Sequence, residues 1–203
     1  QRAGKYPMKP GMSPIPGLEV AGEVVALGYG VTEYAVGDKV CALTNGGGYA
    51  QYCAVPASQA LPVPEGMDWI QAAAIPEAFF TVWANLFGIG GAHKGQRVLI
   101  HGGTSGIGTT ALMLCREFGI QAFATAGSEE KCALARSMGA THMINYSSEN
   151  VVARVHEITD GKGVPVVYDG VGKDTFEMSL DCLQPRGLLA SFGNASGPVT
   201  GVD

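Results

Sequence analysis

The sequence carries little positive charge and has no long hydrophobic run. Its 13 lysine and arginine residues stand against 18 aspartate and glutamate residues, and the formal net charge is -5. A protein that binds nucleic acid needs a basic surplus to meet the phosphates, so we expect no nucleic-acid partner. No apolar run reaches the roughly 18 residues that a membrane-spanning helix needs, so we predict no membrane span.

Cysteine and histidine are sparse, and neither follows a metal-ligand spacing. The cysteines are Cys41, Cys53, Cys115, Cys132 and Cys182. Their number is odd and they lie far apart, which predicts neither a disulfide framework nor a Cys-x-x-Cys zinc site. The four histidines also lack zinc-ligand spacing. We therefore expect reduced thiols, no bound metal and a cytoplasmic location.

The most informative stretch is a glycine-rich loop between a predicted strand and a predicted helix. Residues 97–101 are short and apolar, as in a buried strand, and residues 102–108 follow with four glycines. The next apolar positions have the spacing of an amphipathic helix: Ile107, Ala111, Leu114, Cys115 and Phe118. Gly119 occupies the position of a left-handed C-cap. Together these features predict a nucleotide site, because a helix N-terminus offers free N–H groups to a pyrophosphate.

The loop departs from the strict Gly-x-Gly-x-x-Gly fingerprint. If Gly103 and Gly108 are its ends, the middle position is Ser105, and Gly106 lies beside it. The alternative is a tight turn that packs a helix on a sheet without any ligand.

The first part of the chain predicts a small β-barrel or β-rich domain. Turn signals separate the predicted strands, which are residues 18–27, 39–43, 49–55 and 61–64. From Asp68 the pattern changes to helices around Pro76. We place the domain boundary near residue 75, which gives domains of residues 1–75 and 76–203.

The second part alternates strand and helix. The further predicted strands are residues 121–126, 141–145, 164–169 and 188–192, and the helices between them are residues 129–138, 151–159 and 174–182. Asp174 with Glu177 resembles a capping box at the start of the last helix. This alternation predicts an α/β fold with a doubly wound parallel Rossmann sheet, of which five of the six strands are present. We expect the chain to lack segments at both ends.

The end of the second strand of this sheet favours NADP(H) over NAD. An NAD-preferring site places a carboxylate there to hold the ribose hydroxyls. This chain has Gly127 and Ser128 instead, with Lys131 one helical turn further on, which meets the needs of a 2′-phosphate. The alternative is that Lys131 is only a solvated helix lysine.

Six motifs resemble a known family in their order and spacing. They are Gly17-Leu18-Glu19-Val20-Ala21-Gly22-Glu23-Val24, Val36-Gly37-Asp38-Lys39-Val40, Gly47-Gly48-Tyr49-Ala50-Gln51-Tyr52, Ala72-Ala73-Ala74-Ile75-Pro76-Glu77-Ala78, Ser105-Gly106-Ile107-Gly108 and Gly127-Ser128-x-x-Lys131. Together they closely resemble the quinone oxidoreductase branch of the medium-chain dehydrogenase/reductase superfamily, which is related to zeta-crystallin. The resemblance implies a partial GroES-like catalytic domain joined to a Rossmann domain. It also implies NADPH as cofactor and hydride transfer to quinones or other α,β-unsaturated carbonyls.

The same resemblance implies an enzyme that needs no zinc. Zinc alcohol dehydrogenases of this superfamily carry Gly-His-Glu where this chain has Gly17-Leu18-Glu19. Leucine cannot ligate zinc, and a conjugated acceptor can take a hydride without a Lewis acid. The alternatives are an enoyl-thioester reductase and a non-catalytic NADPH-binding sensor or structural protein. For the parent protein the resemblance implies a homodimer, a small-molecule substrate and no membrane partner.

The resemblance assigns site residues by position. The expected cofactor contacts are Thr81, Gly103, Ser105, Gly106, Ile107, Gly108, Gly127, Ser128, Lys131, Tyr146, Gly170, Val171, Phe192 and Gly193. Tyr6, which resembles a tyrosine of the substrate cleft, and Ser105 are the candidate catalytic residues. Asp169 ends a strand and is expected to cap a turn rather than act as an acid.

Overall fold

The computed structural model describes residues 10–201. The chain divides into two units, the first ending at Phe80 and the second beginning at Thr81. This division lies inside a helix, and the predicted boundary near residue 75 stays a prediction.

A three-stranded antiparallel sheet forms the centre of the first unit. Its strands are β1 (Glu19–Glu23), β2 (Lys39–Leu43) and β3 (Ala60–Pro62), in that order across the sheet. Cys41 and Ala42 of the middle strand are fully buried, since they have a strand on each side. The structure gives β2 the predicted bounds and shortens the strand predicted at residues 18–27.

The strand predicted at residues 49–55 is wrong. This segment forms turns and irregular backbone. Its start is fixed by hydrogen bonds to a neighbouring loop: the N–H of Tyr49 donates to the Pro16 carbonyl at 2.9 Å, and that of Gly48 to the Gly17 carbonyl at 3.2 Å. The two glycine backbones lie so close that a Cβ on Gly17 would be 2.7 Å from the Gly48 Cα. Among residues 10–201, no strand pairs with this segment, so its alternating sequence does not form a strand.

The helices around Pro76 are two short α-helices followed by a π-helical segment. Helix α1 (Trp69–Ala73) begins at a capping box formed by Asp68 and Gln71, which the sequence analysis missed. Helix α2 (Pro76–Val82) has proline at its first position, where the missing N–H costs nothing. The π-helical segment Trp83–Ile89 continues it.

The second unit is a doubly wound parallel sheet, which confirms the predicted fold class. Its strands are β4 (Arg97–Ile100), β5 (Gln121–Ala126), β6 (His142–Asn145), β7 (Val164–Asp169) and β8 (Leu183–Ser191). The order across the sheet is β6-β5-β4-β7-β8 and all pairs are parallel. The strand order reverses direction between β4 and β7, which is where such sheets place their ligands.

Helices cover both faces of this sheet. They are α3 (Gly106–Glu117), α4 (Glu129–Met138), α5 (Val151–Ile158) and α6 (Phe176–Asp181). Alternate residues of β4 point into two separate cores: Val98 and Ile100 pack with α3 and α4, whereas Leu99 packs with α5. None of the helices in residues 10–201 is long and apolar enough to cross a membrane.

The capping box predicted at Asp174 and Glu177 is wrong. Helix α6 begins after Thr175, which occupies the N-cap without a side-chain capping bond. The Thr175 hydroxyl donates instead to Oδ2 of Asp169 at 2.7 Å, and the N–H of Asp174 donates to the Ser196 hydroxyl at 3.0 Å. The N-cap is therefore one residue later than predicted, and its hydroxyl is oriented toward a buried carboxylate.

Candidate cofactor site

The carboxyl ends of the central strands are joined by backbone hydrogen bonds. The N–H of Gly103 donates to the Thr125 carbonyl at 2.9 Å, which joins the glycine loop to β5. The N–H of His101 donates to the Tyr168 carbonyl at 3.0 Å, which joins the end of β4 to β7. The N–H of Tyr146 donates to the Ala126 carbonyl at 3.1 Å. Most of the predicted cofactor residues therefore lie along one edge of the sheet.

Ser105 organises the start of helix α3. Its hydroxyl oxygen is the N-cap and accepts the N–H of Gly108 at 2.9 Å. The N–H groups of Gly106 and Ile107, in the first turn, have no hydrogen-bond partner among residues 10–201. Those two donors and the positive end of the helix dipole can bind an anion such as a pyrophosphate. Gly119 has a φ of +67° after the last residues of this helix, as the C-cap prediction requires.

The fold requires glycine at some positions of the loop but not at others. A Cβ on Gly108 would collide with the Gly102 carbonyl oxygen, and one on Gly103 would lie 2.9 Å from the Ala124 Cβ. The fold itself therefore requires these two glycines. A Cβ on Gly106 would meet nothing within 4 Å, and this residue is exposed. Packing within the chain leaves Gly106 unexplained, whereas a ligand backed closely onto the helix start would explain it.

A second group of predicted residues surrounds the turn after β5. Ser128 is the N-cap of α4, and its hydroxyl oxygen accepts the N–H of Lys131 at 3.3 Å, which leaves the hydroxyl proton free to be donated. The phenol of Tyr146 lies over Gly127, where a Cβ would be 2.6 Å from the phenol oxygen. Tyr146 is 57% exposed and Lys131 is also exposed. These residues surround one exposed turn, which we call the predicted 2′-phosphate pocket.

The ends of β7 and β8 pack closely against each other. A Cβ on Gly170 would lie 2.5 Å from the Phe192 ring, and one on Gly193 would lie 2.9 Å from the Gly170 carbonyl oxygen. The Phe192 ring stacks on Tyr168 at a centroid distance of 4.1 Å. Gly170, Val171, Phe192 and Gly193 are therefore neighbours, as their assignment to one end of a ligand requires.

Asp169 is fully occupied as a structural anchor. Its Oδ1 accepts the N–H of Val171 at 2.7 Å and that of Gly172 at 3.3 Å. Its Oδ2 accepts the hydroxyls of Thr175 at 2.7 Å and Ser179 at 3.1 Å. The side chain is 1% exposed. It caps a turn, as the sequence indicated, and fixes the loop that carries Gly170 and Val171.

His101 is a buried polar residue that was not predicted from the sequence as part of the site. Thr125 Oγ1 accepts the N–H of Gly102 and lies 3.2 Å from His101 Nδ1, so its own proton is available to that nitrogen. Nε2 then carries the ring proton, and it is buried without a partner among the described residues. Burial lowers the pKa of His101 against the opposing effect of the Asp169 charge, so the ring is neutral near pH 7. The sequence feature that could have indicated His101 is its position directly after an apolar strand.

Two predicted residues stand apart from these groups. Thr81 begins the second unit, and its carbonyl accepts the Tyr168 hydroxyl at 3.3 Å and the Asn85 amide at 2.8 Å. These bonds place its backbone beside β7. Tyr6, the predicted substrate-cleft residue, lies outside the described residues.

The first unit has an open depression of about 570 Å³. Its lining includes Ser13, Asn45, Tyr52 and Cys53 and none of the predicted cofactor residues. Within residues 10–201, no group of three or more His, Cys, Asp or Glu side chains is placed to hold a metal ion. All five cysteines are free thiols.

Comparison with known proteins gives the class that this architecture defines. The family model for the GroES-like domain of alcohol dehydrogenases matches residues 1–65, and the zinc-binding dehydrogenase model matches residues 106–202. A quinone oxidoreductase of Pseudomonas aeruginosa is 46% identical over 203 residues, which is 100% of this chain and 62% of the relative. A 2-haloacrylate reductase of a Burkholderia species is 40% identical, over 97% of this chain and 60% of the relative.

A solved structure agrees with these relatives. The Escherichia coli quinone oxidoreductase in complex with NADPH has a TM-score of 0.89 and 40% identity, and the match covers 100% of this chain and 62% of that one. A GroES-like domain followed by a parallel α/β unit is the arrangement of medium-chain dehydrogenases and reductases. The chain belongs to the quinone oxidoreductase branch of that superfamily, which confirms the resemblance. It spans about 62% of the length of the first of these relatives.

Proposed function

We propose that this chain belongs to an NADPH-dependent oxidoreductase that reduces quinones or other α,β-unsaturated carbonyls without zinc. The observation that carries the cofactor assignment is Gly106. It is exposed at the start of α3, and within residues 10–201 a Cβ there would meet nothing and the N–H groups of Gly106 and Ile107 have no partner. A pyrophosphate at this helix start accounts for all three properties. An NADPH complex among the relatives supports the same assignment.

The pocket after β5 supplies the preference for NADPH. A 2′-phosphate needs a positive charge and a hydroxyl donor, and Lys131 and Ser128 offer them, whereas the space directly over Gly127 is taken by the Tyr146 phenol. Tyr146 is placed to stack on the adenine end, because its half-exposed ring lies over Gly127. No carboxylate ends strand β5, where an NAD site would hold the ribose hydroxyls.

The chemistry of the acceptor follows from what the chain offers around the cofactor. When bound, NADPH supplies the hydride. The close-packed ends of β7 and β8 are placed to hold the nicotinamide side and limit its movement. Leu18 replaces the histidine that zinc enzymes of the superfamily use as a ligand, so an acceptor that is already electrophilic is favoured. Ser105 positions the start of α3 by capping it, and its hydroxyl proton can be donated to the bound cofactor. Tyr6 is our candidate for a polar group that contacts the substrate.

The first test compares the binding of NADPH and NADH to the chain and to Lys131→Ala by isothermal titration calorimetry. We expect the wild-type chain to prefer NADPH. Removal of a charged hydrogen-bond donor is expected to weaken NADPH binding by about 10- to 100-fold and to change NADH binding little.

Lys162→Ala is the matched control for this experiment. Lys162 is also exposed, but it precedes β7 and so lies at the opposite end of that strand from the site. The control should bind both cofactors as the wild type does. Equal affinities of a folded wild-type chain for NADPH and NADH would contradict the proposal.

The acceptor is tested by NADPH oxidation with the full-length protein. Turnover with a quinone or a simple enone supports the proposal, whereas turnover only with an enoyl thioester would assign the enoyl reductase alternative. Binding without turnover of any acceptor would favour a sensor. We propose a homodimer for the full-length protein, which sedimentation equilibrium can check.

A further inference from the structure

We propose that Asn145 determines the preference for NADPH over NADH by holding the carboxylate of Glu129 away from the 2′-phosphate pocket. The inference rests on the proposed function and adds a specificity-determining residue to it. Asn145 does not touch the cofactor in this proposal, and it acts only through Glu129.

Asn145 is fixed at both ends of its amide. It is the last residue of β6 and is 8% exposed. Its Oδ1 accepts the N–H of Ser147 at 3.1 Å, and its Nδ2 donates to Glu129 Oε1 at 2.7 Å. An N–H requires an acceptor and a carboxylate requires a donor, so the chemistry of the two partners fixes the orientation of the amide. The distance to Glu129 is typical of a hydrogen bond to a charged group.

Glu129 is placed where its charge matters. It is the first residue of α4 and follows Ser128, and Lys131 comes two residues later. A phosphate monoester carries a charge of about -1.5 to -2 at pH 7, so a mobile carboxylate at this position would repel a 2′-phosphate. The same carboxylate could instead accept the ribose hydroxyls of NADH, as the acid of an NAD-preferring site does. The position of this one side chain therefore affects both cofactors in opposite directions.

The surrounding contacts join Asn145 to the pocket itself. The hydroxyl of Ser147 donates to the Gly127 carbonyl at 2.9 Å, and the phenol of Tyr146 lies over the same glycine. The bond from Asn145 holds Oε1 of Glu129, and among residues 10–201 the Glu129 carboxylate forms no ion pair with Lys131, so the Lys131 ammonium is left to a ligand. A surface carboxylate is usually solvated, whereas the Glu129 carboxylate is held by a 2.7 Å hydrogen bond from a buried amide, which is consistent with a positioning role for Asn145.

The experiment measures the affinities of the chain for NADP⁺ and NAD⁺ by isothermal titration calorimetry, with no turnover. The variants are Asn145→Ala, Glu129→Gln and the double variant. Asn145→Ala keeps the charge of the site and frees the carboxylate, and we expect the ratio of NADP⁺ to NAD⁺ affinity to fall on the order of tenfold. Glu129→Gln in that background removes the freed charge and should restore the ratio.

A matched control separates this effect from a general change in charge. Glu130 is exposed and is the next residue of the same helix turn. Combined with Asn145→Ala, Glu130→Gln makes the same charge change and should leave the ratio low. A double variant Asn145→Ala/Glu129→Gln as impaired as Asn145→Ala would overturn the proposal, because the role of Asn145 would then be structural only.

A second contrast remains available if Asn145→Ala does not fold. Asn145→Asp keeps the acceptor for Ser147 but repels Glu129, so the ratio should fall. Asn145→Asp with Glu129→Gln restores a hydrogen bond of reversed polarity and should recover the ratio; failure to recover would overturn the proposal. A wild-type chain without NADP⁺ preference would instead contradict the proposed function, and an unchanged ratio in Asn145→Ala and Asn145→Asp would overturn only this inference.

Discussion

Two glycines two residues apart illustrate how a residue can serve a fold or a ligand. Alanine at position 108 would collide with the Gly102 carbonyl, so Gly108→Ala should lower the free energy of unfolding by about 1–3 kcal/mol. Alanine at position 106 meets nothing, so Gly106→Ala should fold at least as stably as the wild type. It should nevertheless weaken NADPH binding at least tenfold, because the methyl group occupies the space of the pyrophosphate.

Urea unfolding and calorimetric binding of both variants test this division. The two alanine variants are controls for each other, because each adds one methyl group to the same loop. Wild-type NADPH affinity in Gly106→Ala would show that the ligand does not approach there.

At the residue scale, the sequence could predict candidate site residues but not the hydrogen bonds among them. Spacing and turn chemistry were enough to select Ser105, Ser128 and Lys131, because caps and loops are local features. His101 and Asn145 were missed because their partners are distant in sequence: Asn145 bonds a residue on another element, 16 positions away. No pattern along one chain specifies such a pair.

At the element scale, several short buried strands and a capped helix were predicted with their bounds, whereas alternation without a partner strand gave a wrong prediction. Strands β5 and β7 and helix α4 have the predicted bounds, since short parallel strands and capped helices carry strong local signals. The strand predicted at residues 49–55 is wrong because an alternating sequence forms a strand only where a partner strand is present. The capping box predicted at Asp174 is absent, and the N-cap Thr175 bonds the distant Asp169 carboxylate instead, which no local motif specifies.

Helix α2 is joined to strand β1 by a hydrogen bond from a backbone N–H to a carboxylate, which also brings two carboxylates near each other. Glu19 Oε2 accepts the N–H of Glu77 at 3.0 Å, and burial together with the Glu19 charge raises the pKa of the Glu77 carboxyl. A raised pKa means that the folded state binds the proton more tightly than the unfolded state. Stability is therefore lost as the pH rises through the window that begins near the unfolded value of 4.5.

Glu77→Gln should remove this pH dependence. At pH 4 the variant and the wild type should have similar free energies of unfolding, because the glutamate is then neutral. At pH 7 and above the variant should be the more stable. Urea unfolding at several pH values measures the difference, and Glu65→Gln, an exposed carboxylate of the same unit, is the control. A stability difference that stays constant with pH would contradict the assignment.

At the scale of the whole chain, every described residue assigned to the cofactor belongs to the unit that begins at Thr81. The chain also offers one tryptophan in each unit, Trp69 in the first and Trp83 in the second. Trp83 stacks on Phe87 at 5.1 Å, so its emission reports the folding of its own unit. The two tryptophans can therefore show which unit a ligand stabilises.

Binding of NADP⁺ should stabilise the second unit by mass action. At a free concentration of 100 times Kd the stabilisation is about 2.7 kcal/mol, which corresponds to a rise in Tm of roughly 8–14 °C for a unit of about 120 residues. In a Trp69→Phe variant, the Trp83 transition should rise by that amount. In Trp83→Phe, the Trp69 transition reports the first unit, and NAD⁺ at the same concentration should shift either transition less. A ligand stabilises the unit whose folded structure it binds. A rise confined to the Trp69 transition would therefore indicate binding to the first unit and contradict the cofactor assignment.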